Sequence, residues 1–337
     1  MTSATGTTPT QRHPTVEGYL GPPARRFFGA GYKRATQTLT GLELGIAADG
    51  RGFARARAAV GYPDDWSRKG RANQRAHLST IDVLVIGAEV CEAYLTHMLR
   101  LDPLGRGRIK LVRARIKAGV APVEDELRDF AVEATFVTDA VGTATAADCR
   151  VGALRIWCEI VHPEGARELR PGRFDDVDAL LGPAAERPYG GLHKGKTQYL
   201  SELEVDGDAL GARAVVRVAY PAPAPPARGL DAVYHESTSI LDAFVSALQL
   251  GQILLYELDG LDRAESNTMW MRQTTLEVGD ADPVAGPERL DVRLEDTELL
   301  TMSDGRRWRT ADIVARLARL EMRCSIAHHL PSEEQES

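Results

Sequence analysis

Two long apolar segments constrain the fold of this 337-residue chain more than any other feature. The first covers residues 81–101, in the stretch that begins HLSTIDVLVIGAEVCEAYL, and the second covers residues 240–258, in HESTSILDAFVSALQLGQILLYEL. A helix that is apolar on nearly every face must be surrounded by protein, so both segments are predicted to be core helices. Each apolar run is short and interrupted for a membrane span, so no membrane partner is expected.

The segments around the two helices follow the same order. A hairpin pattern turning at Asp49-Gly50 precedes the first helix, and one turning at Asp206-Gly207 precedes the second. A loop follows each hairpin, and three alternating runs follow each helix. We interpret this as a repeat of plan without residue-by-residue identity. The predicted fold is α+β, a double hotdog with two long central helices, each wrapped by a curved antiparallel sheet; the alternative is an unrelated α+β sandwich.

This plan divides the chain into five parts. Residues 18–162 are predicted to form the N-terminal hotdog and residues 192–330 the C-terminal one. Residues 163–191 are rich in proline, glycine and charge, which predicts a linker. The polar ends, residues 1–17 and 331–337, are predicted to be disordered tails.

Composition narrows the classes of partner. The net charge is −7, which gives no electrostatic reason to expect nucleic acid as a partner. Four cysteines lie apart without CxxC spacing, so free thiols in a reducing cytoplasm are expected, and no metal site. The N-terminus lacks the apolar core of a signal peptide, which favours a cytoplasmic protein. No phosphate-loop spacing is present, and no cofactor is predicted.

Each predicted helix opens with the same local pattern. Ser79 and Asp82, like Ser239 and Asp242, fit [ST]-x-x-[DE], in which hydroxyl and carboxylate exchange hydrogen bonds with free backbone N–H groups. Capping alone explains both aspartates. Alternatively, the free N–H groups hold a thioester carbonyl as it gains negative charge, and the aspartate acts beside the reacting carbon.

A histidine precedes each helix. His77 lies five residues before Asp82, and His235 lies seven before Asp242. Histidine is the natural general base at neutral pH, so either is a catalytic candidate. The alternative for both is a surface loop position.

Five further residues are candidates for substrate binding. Glu89 and Gln249 each lie two turns after their aspartate on the same helical face, where they bind sugar hydroxyls or serve as structural plugs. Trp66 and Trp270 line an acyl tunnel or pack in the core. Arg75 meets the phosphates of a thioester carrier or belongs to a solvated basic surface.

The spacing of His77, Gly87 and Glu92 resembles the dehydratase double hotdogs of fatty-acid and polyketide synthesis, which carry a catalytic histidine, a glycine and a glutamate at these offsets. SILDAFVSAL resembles the dehydratase helix whose aspartate is the acid partner, which falls on Asp242. Ser246 stands where those enzymes have Gln or His. The resemblance therefore implies a His77/Asp242 pair, but argues against simple dehydration of a 3-hydroxyacyl chain.

A wider resemblance is carried by EGYLGPPARRFFGAGYKR, PDDWSRKG, HLSTIDVLVIGAEVCEAYL and NTMWMRQTTLEVG. These stretches resemble the avirulence protein D (AvrD) family of bacteria, associated with syringolide-type signalling molecules and likened to butyrolactone autoregulator synthases. The resemblance implies condensation of a 3-oxoacyl thioester with a xylulose-like ketose, by acyl transfer and dehydrative ring closure to a butenolide. His77 would then be the base, and Asp242 would protonate the departing hydroxyl or orient the sugar.

Two other functions remain open at this point. One is a hotdog dehydratase or thioesterase that acts on an acyl thioester alone, and the other is a non-catalytic double hotdog that binds a lipid-like signal or a partner protein. The expected partners are a 3-oxoacyl-CoA or 3-oxoacyl carrier protein and a small sugar. A homodimer is also expected to be possible, because hotdog sheets pair edge to edge.

Overall fold

The computed structural model describes residues 10–69, 72–73, 75–119, 122–166, 170–267, 269–280 and 283–331, with the side chains of 68, 72 and 73 left aside. Within these residues the strands are β1 Gln11–Thr15, β2 Thr36–Ile46, β3 Gly52–Gly61, β4 Arg68–Lys69, β5 Ala72–Asn73, β6 Lys110–Lys117, β7 Phe130–Thr138, β8 Ala144–Val151, β9 Leu154–Val161, β10 Gly172–Asp176, β11 Thr197–Asp206, β12 Gly211–Ala219, β13 Met269–Val278, β14 Glu288–Thr301, β15 Arg307–Leu317 and β16 Leu320–His329. The α-helices are α1 Glu17–Leu20, α2 Thr80–Met98, α3 Pro103–Arg106, α4 Asp178–Leu181, α5 His193–Gly195 and α6 Ile240–Asp259. Shorter helical turns lie at Pro23–Arg25, Gly31–Arg34, Ala184–Glu186, Pro188–Leu192 and Ala232–Tyr234.

One antiparallel sheet of fourteen strands runs through the described part of the chain, in the order β1-β11-β12-β14-β15-β16-β13-β6-β9-β8-β7-β3-β2-β10. The order is symmetrical about its centre, where β13 pairs with β6. Each strand of the first half has a counterpart at the mirrored place in the second half, for example β9 and β16 or β3 and β12. The two halves are therefore related by an approximate twofold axis between β13 and β6.

The two long helices supply the core of the two halves. Helix α2 packs on β2, β3, β6, β8 and β9, and α6 packs on β11 to β16. All residues of α2 except His97 are buried. At Gly87 a Cβ atom would lie 2.8 Å from the Cγ2 atom of Ile156, so glycine lets α2 lie close on the sheet. The predicted α+β class and its hotdog arrangement of helix on antiparallel sheet are confirmed.

The length of helix α6 differs from what was expected of the apolar segments. By length and composition it could cross a bilayer, so the prediction that both apolar runs are too short is wrong for α6. In the folded chain 89% of its most apolar window is buried inside the protein. Since core helices pass the same test, the burial accounts for its apolar composition.

Two strands were not predicted as separate elements. β8 lies in ATAADCRV, which looks polar because only alternate small residues face the core. β15 and β16 both fall in DIVARLARLEMRCSI, which is predicted as one run, but a tight turn at Ala318 and Arg319 separates them, with Ala318 at φ 48°. Each half therefore has four strands after its helix and not three.

The predicted linker and N-terminal tail contain ordered arms. β10 pairs with β2 at one edge of the sheet, and β1 pairs with β11 at the other. The predicted disorder of residues 1–17 and the interpretation of 163–191 as a mere linker are thus corrected for residues 11–17 and 172–191. Residues 1–9 and 332–337 lie outside the described part.

The two arms repeat each other in sequence. VEGYLGPPARRFFGAGYKRATQTL from residue 16 aligns without gaps on VDALLGPAAERPYGGLHKGKTQYL from residue 177. Each arm begins with a helical turn, and that turn ends at a glycine with positive φ, Gly21 in the first arm and Gly182 in the second. The interpretation that the repeat lacks residue-by-residue identity is therefore wrong for the arms, where the two stretches align without gaps.

The arms are exchanged between the halves. The N-terminal arm precedes the first half but reaches the helix of the second, where Arg26 donates to Oε1 of Gln249 at 2.6 Å. The second arm reaches the first helix, where Arg187 lies 2.9 Å from Glu89. This exchange ties the two halves together through two buried arginines.

Candidate active site

A cavity opens at the N-terminal end of α2, between the two halves. Its walls are mainly apolar and come from both halves, including Phe27, Leu78, Leu248, Met269 and Trp270. The volume of the cavity is about 130 Å³. An apolar cleft with few polar groups is the usual form of a small-molecule site.

The charged groups that line the cavity within the described residues are all basic. Three are basic, namely Lys69, His77 and Arg272. Thr80 and Gln252 add neutral polar groups, from the first turn of α2 and the middle of α6. Among the described residues of the lining there is no carboxylate. The cavity therefore favours a ligand that carries carbonyl oxygens or develops negative charge.

His77 lies in the wall of this cavity and is half-buried. Its ring meets Trp66 edge to face, with the centroids 5.5 Å apart. Its Nδ1 atom lies 3.2 Å from the carbonyl oxygen of Arg75. Since a carbonyl can only accept, Nδ1 carries the proton in the neutral ring, and Nε2 is left as the basic nitrogen.

The first turn of α2 forms the floor beside His77. We call residues 79–82 the first helix mouth. Ser79 accepts from the backbone N–H of Asp82 at 3.2 Å, and the Asp82 carboxylate accepts from the Ser79 N–H at 2.9 Å. The N–H groups of Thr80 and Ile81 have no partner within the helix, because they belong to its first turn. Thr80 lines the cavity, so these donors lie at its edge.

Within the described residues, the hydrogen-bond partners of Asp82 are all neutral. Gln37 donates to its Oδ1 at 2.8 Å, and the hydroxyl of Tyr62 donates to Oδ2. The residue is 1% exposed and is not part of the cavity wall. Burial beside this carboxylate raises the pKa of Tyr62 well above its ordinary value, so Tyr62 stays a donor.

The second helix mouth, residues 239–242, repeats the cap but not the cavity. Ser239 and Asp242 exchange the same two hydrogen bonds, and Gln198 donates to Asp242 Oδ1 at 2.7 Å. Lys196 takes the place of a neutral partner, with its Nζ 2.7 Å from Oδ2. Burial alone would raise the pKa of Asp242, but Lys196 and the cap hold it below its usual value. Asp242 thus does not join His77 in the cavity lining, and the structure does not bring this predicted pair together.

A loop fills the space that corresponds to the cavity beside the second mouth. Asp231 is buried there, accepting from the backbone N–H of Leu111 at 2.9 Å and from the Tyr189 hydroxyl at 2.6 Å. Gly229 lies so close to α2 that a Cβ atom would clash with the carboxylate of Glu92. Glu92 in turn pairs with Arg106 at 2.8 Å. The glycine and glutamate of the dehydratase spacing, Gly87 and Glu92, therefore have packing roles here.

The other predicted binding residues lie away from the cavity lining. Glu89 and Gln249 are buried and hold the arm arginines Arg187 and Arg26. His235 packs against Tyr220, with the ring centroids 4.5 Å apart, near the second mouth.

Arg75 is exposed and pairs with Glu124 at 2.7 Å and with Asp125 at 3.3 Å. Those carboxylates already offset its charge. Of the predicted site residues, the structure thus brings His77, Trp66 and Trp270 to one cavity.

Three polar cavity residues were not predicted from the sequence. Gln252 lies three residues after Gln249, about one turn further along α6. This spacing places it on a similar face of the helix and could have identified it as a second polar candidate. Arg272 follows Trp270 and Met271 on β13, where the pairing with β16 shifts register between Met271 and Gln273, and short-range sequence patterns do not reveal this irregularity. Lys69 looks like a solvated loop lysine, because its burial depends on residues 266–267, far along the chain.

Comparison with known proteins identifies the family but no near relative. The family model described as Pseudomonas avirulence D protein (AvrD) matches residues 11–331. Comparison with curated proteins gives no match. An acyl-CoA thioesterase II, TesB2, from Mycobacterium marinum is 11% identical, with a TM-score of 0.39 over 87% of this chain and 96% of that one. The dehydratase domain of PpsC from Mycobacterium tuberculosis, in complex with C12:1-CoA, is 14% identical, with a TM-score of 0.37 over 86% and 97%. Similarities this low identify neither a substrate nor a reaction.

Proposed function

This chain belongs to the family of the Pseudomonas avirulence D protein (AvrD), and on that premise we propose that it is a biosynthetic condensing enzyme. The proposed substrates are a 3-oxoacyl thioester and a xylulose-like ketose. They are joined by acyl transfer and dehydrative ring closure into a butenolide of the syringolide type. The observation that supports this most is the apolar cavity with His77 beside the free N–H groups of the first helix mouth.

Different parts of the cavity match the acyl chain and the thioester group of the proposed substrate. Its apolar wall, with Phe27, Trp66 and Trp270, accepts the chain. The N–H groups of Thr80 and Ile81 can donate hydrogen bonds to a thioester oxygen as it becomes an oxyanion. The helix dipole of α2 favours negative charge at the same point.

The first step transfers the acyl group. His77 takes the proton of a sugar hydroxyl through Nε2, and the alkoxide oxygen attacks the thioester carbon. The carbon–sulfur bond then breaks, and the thiol leaves with a proton from the imidazolium. The product of this step is an ester of the sugar that keeps its 3-oxo group.

The second step closes the ring. The carbon between the two carbonyls is acidic, so His77 can remove its proton and leave an enolate. That carbon adds to the ketone of the sugar, and the resulting hydroxyl leaves as water to give the unsaturated lactone. The basic groups Lys69 and Arg272 lower the energy of the enolate, since no carboxylate of the described lining opposes them.

This scheme assigns Asp242 a structural role. Its carboxylate is 2% exposed and is held by Lys196, Gln198 and Ser239. A sugar hydroxyl would have to displace one of these partners to reach it. Gln252 is a better candidate to orient the sugar, because it is a neutral polar residue of the cavity lining.

The wider setting is part of the same proposal. We take the halves as two hotdog units in tandem, of which the first mouth serves catalysis. The thioester is carried by CoA or a carrier protein, and the reaction takes place in the cytoplasm. Homodimer formation is proposed through an edge of the sheet.

The test is mass spectrometry on purified protein given a 3-oxoacyl thioester with and without xylulose. We expect a product with the mass of acyl plus pentulose, less the water lost in ring closure, only in the sample that contains both the thioester and the sugar. Loss of thioester at the same rate without sugar would replace the proposal by a hydrolase or dehydratase. No turnover with several acyl lengths and ketoses, together with retained acyl binding, would indicate the non-catalytic binding protein.

A further inference from the structure

One lysine side chain contributes to the wall of the cavity described above. Lys69 ends β4, and its Nζ atom donates to the Ser266 hydroxyl at 3.0 Å and to the backbone carbonyl of Asn267. The side chain lines the cavity together with Trp66 and Trp270. Its two hydrogen-bond partners therefore fix the nitrogen at a mainly apolar wall.

The charge of this amine is poorly compensated. Within the described residues no carboxylate pairs with Lys69, and the charged side chain that acts on it most is another cation, Arg263. Burial, and then Arg263, lower the pKa of Lys69 to about 7. His328 is buried nearby, and burial and then Lys69 lower its pKa to about 4, so its ring is uncharged at neutral pH.

Three other lysines that burial affects differ from Lys69 in their surroundings. Lys196 is ion-paired with Asp242. Lys33 and Lys194 donate to the backbone carbonyls of Lys196 and Ala35, at 2.6 and 2.8 Å, and neither lines the cavity. Burial lowers the pKa of Lys33 to about 8, against a partial opposing effect of Asp242. Lys69 alone of these four combines a desolvated amine with access to a ligand space.

We propose that the amine of Lys69 is a nucleophile that forms an imine with a ketone carbonyl of a substrate in this cavity. A desolvated lysine beside another cation is the arrangement that activates an amine for this chemistry. The nitrogen attacks the carbonyl carbon, a carbon–nitrogen bond forms, and the carbonyl oxygen leaves as water. The ligand class is a ketone on an apolar chain, such as the 3-oxo group of an acyl thioester.

The inference deepens the proposed function and rests on it for the identity of the ketone. A protonated imine at the 3-oxo carbon makes the neighbouring carbon more acidic than the ketone does. His77, in the same cavity wall, removes that proton and leaves an enamine. The enamine carbon adds to the ketose, and water then hydrolyses the imine and returns the free amine.

Borohydride trapping tests the imine without needing turnover. The full chain is incubated with heptan-2-one and sodium borohydride, which reduces the imine to a stable secondary amine, and the modified lysine is found by peptide mass mapping. We expect Lys69 to be modified first, with labelling that increases as the pH rises through about 7. Labelling spread evenly over the lysines, or absent from Lys69, would overturn the proposal.

Three variants sharpen this experiment. Lys69→Arg keeps the charge but loses the nucleophile and is expected to cut labelling at least tenfold, and Lys69→Gln serves the same purpose if the arginine prevents folding. Lys33→Arg is the matched control, a buried lysine outside the cavity, and should label as the parent protein does. Condensation at the parental rate in Lys69→Arg would refute the imine but leave the proposed function standing. Selective labelling of Lys69 without any condensation would support the imine and refute the proposed function.

Discussion

The two helix mouths share a cap and differ in what surrounds it. In both, a serine and an aspartate exchange hydrogen bonds, and a glutamine from the preceding hairpin binds the aspartate. In the arm alignment Ala35 of the first half corresponds to Lys196 of the second. The first mouth therefore holds its carboxylate with neutral donors and borders a cavity, whereas the second holds its carboxylate in an ion pair with Lys196 and is covered. The same cap thus borders a cavity in one half and an ion-paired, covered joint in the other.

The covering of the second mouth comes from its loop. Asp231 and Tyr234 are buried, and Gly229 leaves room only for its own backbone against α2. The matching loop of the first half turns aromatic Trp66 into the cavity wall instead. The cap pattern therefore locates a helix start, and the preceding loop decides whether that start is accessible.

The largest expected effect separates the two histidines. His77→Gln keeps a polar side chain but removes the basic nitrogen, so product formation should fall by about 10²–10⁴-fold. His235→Gln changes a ring that packs on Tyr220 near the covered mouth and should leave the rate within about twofold, since its ring is not in the cavity wall. Rates are measured by mass spectrometry of the condensation product.

Folding must be matched before these rates are compared. Thermal unfolding of both variants should lie within a few degrees of the parent. A large loss of rate in His235→Gln with intact folding would transfer the base to the second mouth and refute the use of the first.

The sequence predicted the parts of this comparison that depend on local pattern. Both capping boxes were predicted from the [ST]-x-x-[DE] spacing and are present. The long helices and the hairpins before them were recognisable for the same reason, because apolar periodicity and turn residues act over a few positions.

The contacts that distinguish the mouths are not local. Lys196 meets Asp242 only after the arm has folded back, and Lys69 becomes buried only under residues 266–267. His77 and Asp242 looked like partners because each precedes or begins a helix with the same pattern. Their placement depends on the pairing of β13 with β6, which no short-range signal specifies.

The second prediction concerns stability. Asp242→Asn leaves the charge of Lys196 buried without its carboxylate, and we expect a loss of about 3–5 kcal/mol in the free energy of unfolding. Asp82→Asn removes a charge whose partners are neutral, so the expected loss is about 1–2 kcal/mol. Chemical denaturation at neutral pH measures both.

Lys196→Ala is the control, because it gives the second mouth the residue that the first mouth has in Ala35. Asp242 would keep Gln198 and Ser239, and the expected loss is smaller than that of Asp242→Asn. Equal losses for Asp82→Asn and Asp242→Asn would show that the ion pair does not distinguish the mouths.

The smallest expected effect concerns the arms. Arg187 meets Glu89 and Asp178, whereas its counterpart Arg26 meets Gln249 and Glu17. Burial raises the pKa of Glu89 to about 7, although Arg187 opposes this. A raised pKa in the folded state gives stability that is fully present below the ordinary pKa and is lost as the pH rises through about 7.

Glu89→Gln should therefore remove part of the pH dependence of stability. Between about pH 4.5 and 8 the parent protein should lose roughly 2–3 kcal/mol that the variant does not lose. Glu92 and Asp231 are shifted in the same direction by burial, so the measured quantity is the difference between variant and parent in denaturation at each pH. Gln249→Glu is the converse change, since it places a buried carboxyl beside Arg26 and should introduce a similar slope. If neither substitution changes the slope, the two arms are energetically equivalent despite their different partners.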